Sequence, residues 1–272
     1  MDRITDIAQL NGFLVYVRNL RKGFVTNFYL DEAKHSNWID ANLLTYQMWE
    51  DTVFILCKNA ICSEESIINL YYISTSEANV IQHLQECKML YNNESYIIDV
   101  VGRDNKCLSF VENIKNIGAI HLTTLQRMTR VGTPETFETI DRVVYANIDD
   151  IKIIEDLLCQ YFDVQIEQIP LKSELANMIT QSHVLKYICD DEIAGLLLFD
   201  LNATTLHLRY WLTLPKFRNK GVGSDLCKQF FNEGNTTKRQ ILWVKQENAN
   251  AIVRYKHLGF IEENMFDYIL KY

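Results

Sequence analysis

The sequence of 272 residues predicts a mixed α/β protein built as two halves with a similar order of elements. Three observations predict it. Stretches with apolar residues at every second position interleave with stretches where they recur three and four apart, so strands and helices alternate along the chain. Each half ends in the order strand, helix, strand, helix, strand. Of only ten glycines, Gly221 and Gly223 fall together among basic residues where a strand gives way to a helix.

The second half carries the clearer pattern. Arg142 to Ala146 reads as a strand, and Asp149-Asp150 then precede Ile151, Ile154, Leu157, Leu158 and Phe162 at helical spacing. A second helix is expected from Leu171 to Ile179. Strands follow at Val184 to Cys189 and Glu192 to Asp200, joined by a tight turn at Asp190-Asp191. Leu206 to Leu214 is the next strand and runs into Pro215. The helix that begins near Gly221 puts Val222, Leu226 and Phe230 on one stripe, and Gly234 supplies its stop. Gln240 to Val244 is a strand. Asn248 caps a helix whose Ala251, Tyr255 and Leu258 share a face, Gly259 ends it, and strands at Phe260 to Glu262 and Phe266 to Leu270 close the chain.

In the first half, Ile67 to Ile73, Tyr96 to Val101 and His121 to Arg130 read as strands; Ala78 to Leu90 and Cys107 to Ile117 read as the helices between them. The least structured stretch, Thr129 to Thr139, lies near the middle. A domain division into 1–134 and 140–272 is expected there.

Composition narrows the class. Nearly half the residues are apolar, enough for sizeable cores, yet the longest apolar runs, Ile193 to Phe199 and Val53 to Cys57, fall short of the ~20 residues a membrane helix needs. No basic-then-apolar leader opens the sequence. Seven scattered cysteines in apolar surroundings suit reduced thiols, which points to the cytoplasm. Cys57 and Cys62 are the closest pair, but no second pair stands at metal-ligand spacing, so no metal is expected. A formal charge of -8 argues against nucleic-acid binding and favours a cationic partner.

The segment Arg218-Asn219-Lys220-Gly221-Val222-Gly223-Ser224 enters a helix from a strand. Unpaired N–H groups and the positive end of the helix dipole converge at such a turn, and glycines let an anion approach without a Cβ in the way. Two readings fit equally: a pyrophosphate cradle, or a helix start whose glycines serve close packing. The triphosphate loop is excluded because Gly223 is followed by Ser224 and Asp225, and the dinucleotide fingerprint because Leu226 stands where a third glycine is needed.

Pro215 to Gly223 resembles the pyrophosphate motif of the GNAT acetyltransferase superfamily, Arg/Gln-x-x-Gly-x-Gly/Ala, at Arg218, Gly221 and Gly223. Further on, Asn248 to Phe260 resembles the family's second motif at Asn248, Ala251, Tyr255, Gly259 and Phe260. The resemblance covers about half the chain and implies a C-terminal acetyltransferase domain whose donor is acetyl-coenzyme A or a longer acyl thioester. By resemblance, Trp211, Leu212 and Thr213 pair sheet-fashion with the pantetheine arm in a splay between strands. Asn219, Lys220, Gly221, Val222, Gly223 and Ser224 hold the pyrophosphate with Arg218 beside them, and Asn248 touches the coenzyme arm or serves as a helix cap. Tyr255 is the position that protonates the departing thiolate, a task suited to a phenol whose ordinary pKa exceeds that of the thiol.

Aligning Gly118 with Gly259 places Ile114 opposite Tyr255, and Ser74-Thr75-Ser76-Glu77-Ala78 stands where the first motif belongs. The N-terminal half is therefore expected to be a degenerate copy. The fold class expected is two tandem GNAT-like domains, each a mixed, mostly antiparallel sheet flanked by helices. The expected activity is N-acetylation of a primary amine on a small molecule or peptide; a non-catalytic coenzyme sensor or scaffold is the alternative. A homodimer is possible. Asp200 and Glu247 are candidate bases, and His207 and Arg209 candidate acceptor contacts.

Overall fold

The computed structural model describes residues 1–59, 61, 67–90, 94–103 and 107–272. The chain forms two compact units, and neither is one continuous stretch: unit 1 takes Met1–Thr124, Asp163–Leu171 and Met265–Tyr272, and unit 2 takes Leu125–Phe162 and Lys172–Asn264.

In unit 1, α1 (Ile7–Asn19) and α2 (Glu32–Asp40) each start at an aspartate, Asp6 and Asp31, whose carboxylate accepts the N–H three residues on. The sheet comprises β1 (Asp2–Arg3), β3 (Leu44–Met48), β4 (Thr52–Lys58), β5 (Ile67–Ser74) and β6 (Ser95–Gly102), with a two-residue strand β2 (Val25–Thr26). Helix α3 (Glu77–Leu90) links β5 to β6, and α4 (Leu108–Asn116) follows. Side chains alternate across the sheet, so Val53, Ile55, Tyr71 and Ile73 pack under α1 and α2, while Phe54, Leu56, Leu70, Tyr96 and Ile98 pack under α3 and α4. Residues Phe266–Lys271 of β13 (Ile261–Lys271) close this sheet antiparallel to β6.

Unit 2 uses the same plan. Its strands are β8 (Val143–Tyr145), β9 (Val184–Cys189), β10 (Glu192–Asn202), β11 (Thr205–Thr213) and β12 (Arg239–Lys245). The helices are α5 (Ile151–Tyr161), α6 (Lys172–Thr180), α7 (Val222–Glu233) and α8 (Ala249–His257). Residues 125–131 of β7 (Ile120–Val131) lie antiparallel to β12 and close the sheet.

The two sheets have the same strand order and senses. In unit 1, β3 to β5 are antiparallel neighbours, β5 is parallel to β6, and β6 meets an antiparallel closing strand. In unit 2, β8 to β11 are antiparallel neighbours, β11 is parallel to β12, and β12 meets its own closing strand. The helix ends agree too. Gly118 at φ 107° and Gly259 at φ 84° terminate α4 and α8, and the N–H of Ala119 reaches Ile114 O as that of Phe260 reaches Tyr255 O. The halves are copies of one fold, and Ile114, fully buried, stands where Tyr255 does.

Two expectations need correction. The closing strands 260–262 and 266–270 are one strand, β13, because Glu263, in the stretch between them, is neutralised by Arg127 and Arg239 and needs no loop to reach water. Cys159 is disulfide-bonded, against the expectation of thiols alone. Cys57, Cys87, Cys107 and Cys227 are buried free thiols and Cys189 is a half-buried one; Cys62 lies outside the described residues.

Candidate active site

The site of interest lies in unit 2 where β11 and β12 part. Their parallel pairing runs from Thr205 with Arg239 to Leu208 with Leu242 and stops there, although β11 continues to Thr213 and β12 to Lys245. Beyond that point the facing edges carry backbone donors and acceptors that the partner strand does not take. A β-bulge contributes to the divergence. Leu198 pairs with Tyr210 but Phe199 with Leu208, so Arg209 is the extra residue on β11. Arg209 donates to Asp200 Oδ2 at 3.0 Å, and His207 Nδ1 stands 3.7 Å from the same oxygen. Burial works to raise the Asp200 pKa, but the hydrogen bond from His207 and the charge of Arg209 outweigh it and hold the carboxyl well below its ordinary value.

The splayed end of β11 leads through Pro215 into α7. Gly221 is the N-cap residue at φ 83°, a left-handed conformation that suits glycine, and the nearest atom to a Cβ built on it is Asp225 Oδ2 at 3.9 Å. The first turn closes only with Asp225 N–H on Gly221 O, so the N–H groups of Val222, Gly223 and Ser224 find no acceptor within the helix. Arg218, Asn219, Lys220, Gly221 and Ser224 are exposed, while Val222 is buried in the core. Lys216, just before this turn, pairs with Glu192. Lys216 and Lys220 both lie over the Phe217 ring, at 4.9 and 5.3 Å from its centroid.

Gly223 serves packing as well as access. A Cβ there would lie 3.1 Å from Trp211 Cζ2 and 3.2 Å from Thr213 Oγ1, so the absence of a side chain lets α7 sit against the splayed edge of β11. The Trp211 ring lies 5.7 Å from the Tyr255 ring, centroid to centroid, and its indole N–H is buried with no hydrogen-bond partner. Such an orphaned donor costs about 1–3 kcal/mol. Leu212 is buried with its side chain turned away, and Thr213 ends the strand. Tyr255 is half-buried on α8 against Trp211 and Phe260. Asn248 caps α8, its side chain accepting the Ala251 N–H at 3.1 Å.

The structure thus gathers Trp211, Thr213, Gly223 and Tyr255 around one splay, with Arg218 to Ser224 along the adjoining helix start. Asp200 and His207 stay apart from it, His207 lying within the paired part of β11, and Arg209 is tied to Asp200. Sequence reasoning named Arg209 only as an acceptor contact and missed the bulge it makes, and it missed Gly195, where a Cβ would strike Leu212 O at 2.7 Å and Val222 Cγ1 at 2.8 Å. Gly195 had a signal, a lone glycine inside an apolar strand.

Unit 1 has the same splay, but its own chain occupies it. Pairing of β5 with β6 stops at Leu70 with Ile98, and β2 enters beside β5, Val25 opposite Ser74 and Thr26 opposite Ile73. Asn27 then bridges the parted strands: its NH2 donates to Leu70 O at 3.2 Å and Asp99 O at 2.9 Å, and its Oδ1 accepts the Tyr72 N–H at 2.7 Å. Residues at the α3 start satisfy one another. Ser76 Oγ accepts the Asn79 N–H and Thr75 Oγ1 accepts the Asn79 side chain. No register shift interrupts β4 and β5, so unit 1 also lacks the bulge.

Residues 151–260 match the Acetyltransferase (GNAT) family model. Similar solved structures include a GCN5-related N-acetyltransferase from Sphaerobacter thermophilus, with TM-score 0.59 and 12% identity over 95% of this chain and 90% of that chain. A tandem GNAT protein from the clavulanic acid biosynthesis pathway has TM-score 0.59 and 8% identity over 98% of this chain and 94% of that one. A GCN5-related N-acetyltransferase from Kribbella flavida has TM-score 0.56 and 12% identity over 94% and 95%. At such identities the likeness is one of fold. No curated protein matches the sequence. Residues 151–260 form a GNAT acetyltransferase domain, and the chain has a tandem GNAT fold. Among the described residues no group of three or more metal-type side chains gathers, and no helix is long and apolar enough to cross a membrane.

Proposed function

We propose that this protein is an N-acetyltransferase that uses acetyl-coenzyme A, with 140–272 as the catalytic domain and 1–134 as a copy that has lost coenzyme binding. The observation that carries this reading is the parting of β11 from β12 after Leu208 and Leu242, beside a helix start with glycine at its left-handed cap. Facing unpaired strand edges suit the amides of a pantetheine arm, and the unshared N–H groups of Val222, Gly223 and Ser224 suit a pyrophosphate. Trp211, Leu212 and Thr213 would hold the arm, and Arg218, Asn219, Lys220 and Gly221 would flank the phosphates. The NH2 of Asn248, whose carbonyl oxygen caps α8, is the part of that side chain open to the coenzyme.

The reaction assigned is direct attack of a neutral amine nitrogen on the thioester carbonyl carbon. The C–N bond forms, the C–S bond breaks, and Tyr255 O–H gives its proton to the departing sulfur. Asp200 is a poor candidate for the base that first deprotonates the amine, because a carboxylate held so far down takes up almost no proton near neutrality. Glu247, exposed just past β12, is the other candidate. The acceptor proposed is a primary amine on a small molecule or peptide, in keeping with the net charge of -8. No nucleic acid or membrane enters this reading.

The test is release of free coenzyme A from acetyl-coenzyme A across a panel of amines. Turnover with at least one amine, reduced at least tenfold in Tyr255→Phe with a changed high-pH limb, is the expected result. Saturable coenzyme binding with no release for any amine would make the protein a sensor or scaffold instead.

A further inference from the structure

The parted strands of unit 2 have two faces. Leu242 and Val244 of β12 point into the core under α7 and α8, the side that also holds Trp211, Gly223 and Tyr255. Period-two alternation sends Ile241, Trp243 and Lys245 to the opposite side, and Trp243 and Lys245 lie past Leu242, the last residue of β12 paired with β11. They stand on the splayed edge itself, where acid catalysis by Tyr255 gives them no task.

Across the gap, β11 offers little on this side. Tyr210 is buried with its ring edge-on to Phe162, 5.1 Å between centroids, and Leu212 is buried too. Trp243 and Lys245 are only half-buried. Arg127, opposite Trp243 on β7, lies over the indole at 5.7 Å from its centroid and is tied in turn to Glu263. That contact holds the ring in place. The Trp243 N–H is not closed off from water and meets no acceptor among the described residues.

Charge on this side leaves a positive remainder. Arg127 and Arg239 share one carboxylate, that of Glu263, while Arg209 is matched by Asp200. Lys245 pairs with no carboxylate among the described residues. Arg127, Arg239 and Lys245 therefore stand against Glu263 alone, and setting exposed Glu247 against them as well still leaves a cation over. The net charge of -8 belongs to the whole surface and is screened beyond about 8–10 Å in physiological salt, so the local remainder decides what this edge attracts. A half-buried ammonium group and an indole N–H are both donors, and they suit a ligand that brings oxygen with negative charge. A second cation would meet Lys245 with like charge.

We propose that the amine acetylated at this site carries a carboxylate, received by Lys245 Nζ and the Trp243 N–H on the side of the splay opposite Tyr255. The inference rests on the acetyl-transfer reading of unit 2 and narrows its acceptor from a primary amine in general to an amino acid or similar zwitterion.

The test uses two sets of amines alike but for the far end: 4-aminobutanoate, n-butylamine and 1,4-diaminobutane, and 4-(aminomethyl)benzoate, 4-methylbenzylamine and 1,4-bis(aminomethyl)benzene. Each is titrated calorimetrically into the full chain saturated with coenzyme A, which holds no acetyl group to transfer. In at least one set the carboxylate should bind about tenfold or more tighter than its two partners. That preference should vanish in Lys245→Gln, return in Lys245→Arg, and persist in Lys238→Gln, which removes an equal charge from an exposed position just before β12. In turnover with acetyl-coenzyme A, Lys245→Gln should raise KM for the carboxylate about tenfold with kcat little changed. A carboxylate preference in binding with no release of coenzyme A from the thioester would uphold this site and refute acetyl transfer. The proposal is overturned if a diamine binds or reacts best, if no amine binds, or if Lys245→Gln keeps the preference.

Discussion

Replacing Trp211 by phenylalanine tests the candidate site with effects of opposite sign. The indole N–H of Trp211 is buried and unpartnered, so removing it relieves a penalty of about 1–3 kcal/mol in the free protein. The smaller ring gives up contact with Gly223 and Tyr255, which costs about 1–2 kcal/mol in a half-buried position. These contributions nearly cancel, and Trp211→Phe should unfold in urea within about 1 kcal/mol of wild type. On the proposed reading acetyl-coenzyme A supplies an acceptor for the Trp211 N–H, a donor that the variant lacks, so the stabilisation by ligand should fall by about 1–2 kcal/mol, near tenfold in affinity. The assay is urea unfolding with and without saturating coenzyme, followed by circular dichroism. A variant destabilised by more than about 3 kcal/mol with its coenzyme stabilisation intact would refute the reasoning, because Trp211 would then be a packing residue only.

Other predictions follow from single positions. Gly23→Ala places a Cβ 2.4 Å from Thr75 O on a backbone at φ 114°, and should cost about 3 kcal/mol in urea unfolding. Gly221→Ala meets no atom nearer than 3.9 Å and carries only the conformational penalty of φ 83°, about 1 kcal/mol, so it should be the milder of the two. Asp99 titrates at about 6 when folded against an ordinary 3.8, so folding favours its protonated form. Its contribution is therefore present below pH ~4 and lost as pH rises through ~6, a fall that Asp99→Asn should abolish in urea midpoints measured across that range.

The C-terminal copy was legible because its signals are local. Gly221 needs a left-handed φ, Asn248 caps the N–H three residues on, and the stripe of Val222, Leu226 and Phe230 faces the core, each within one helical turn of the residue that reveals it. Tyr255 and Gly259 share a helix end whose pattern repeats at Ile114 and Gly118, which made the duplication readable despite the loss of chemistry. What stayed hidden depends on distant pairing. Two-residue β2 has no periodicity to detect, and Asn27 matters only because it meets Leu70, Tyr72 and Asp99, more than forty positions away. The placement of 266–271 beside β6 and of 125–131 beside β12 leaves no trace in alternation, since a strand looks the same whichever partner it takes. The bulge at Arg209 and the orphaned Trp211 N–H likewise emerge only from register and packing.

The two splays, one open and one filled, make a numerical claim that titration calorimetry can read directly. Acetyl-coenzyme A titrated into the full chain should bind with a stoichiometry of one per chain and lose that binding in Gly221→Trp. Two equivalents would contradict the filling of the unit 1 splay by β2 and Asn27, and no binding would contradict the assignment of the unit 2 splay to the coenzyme.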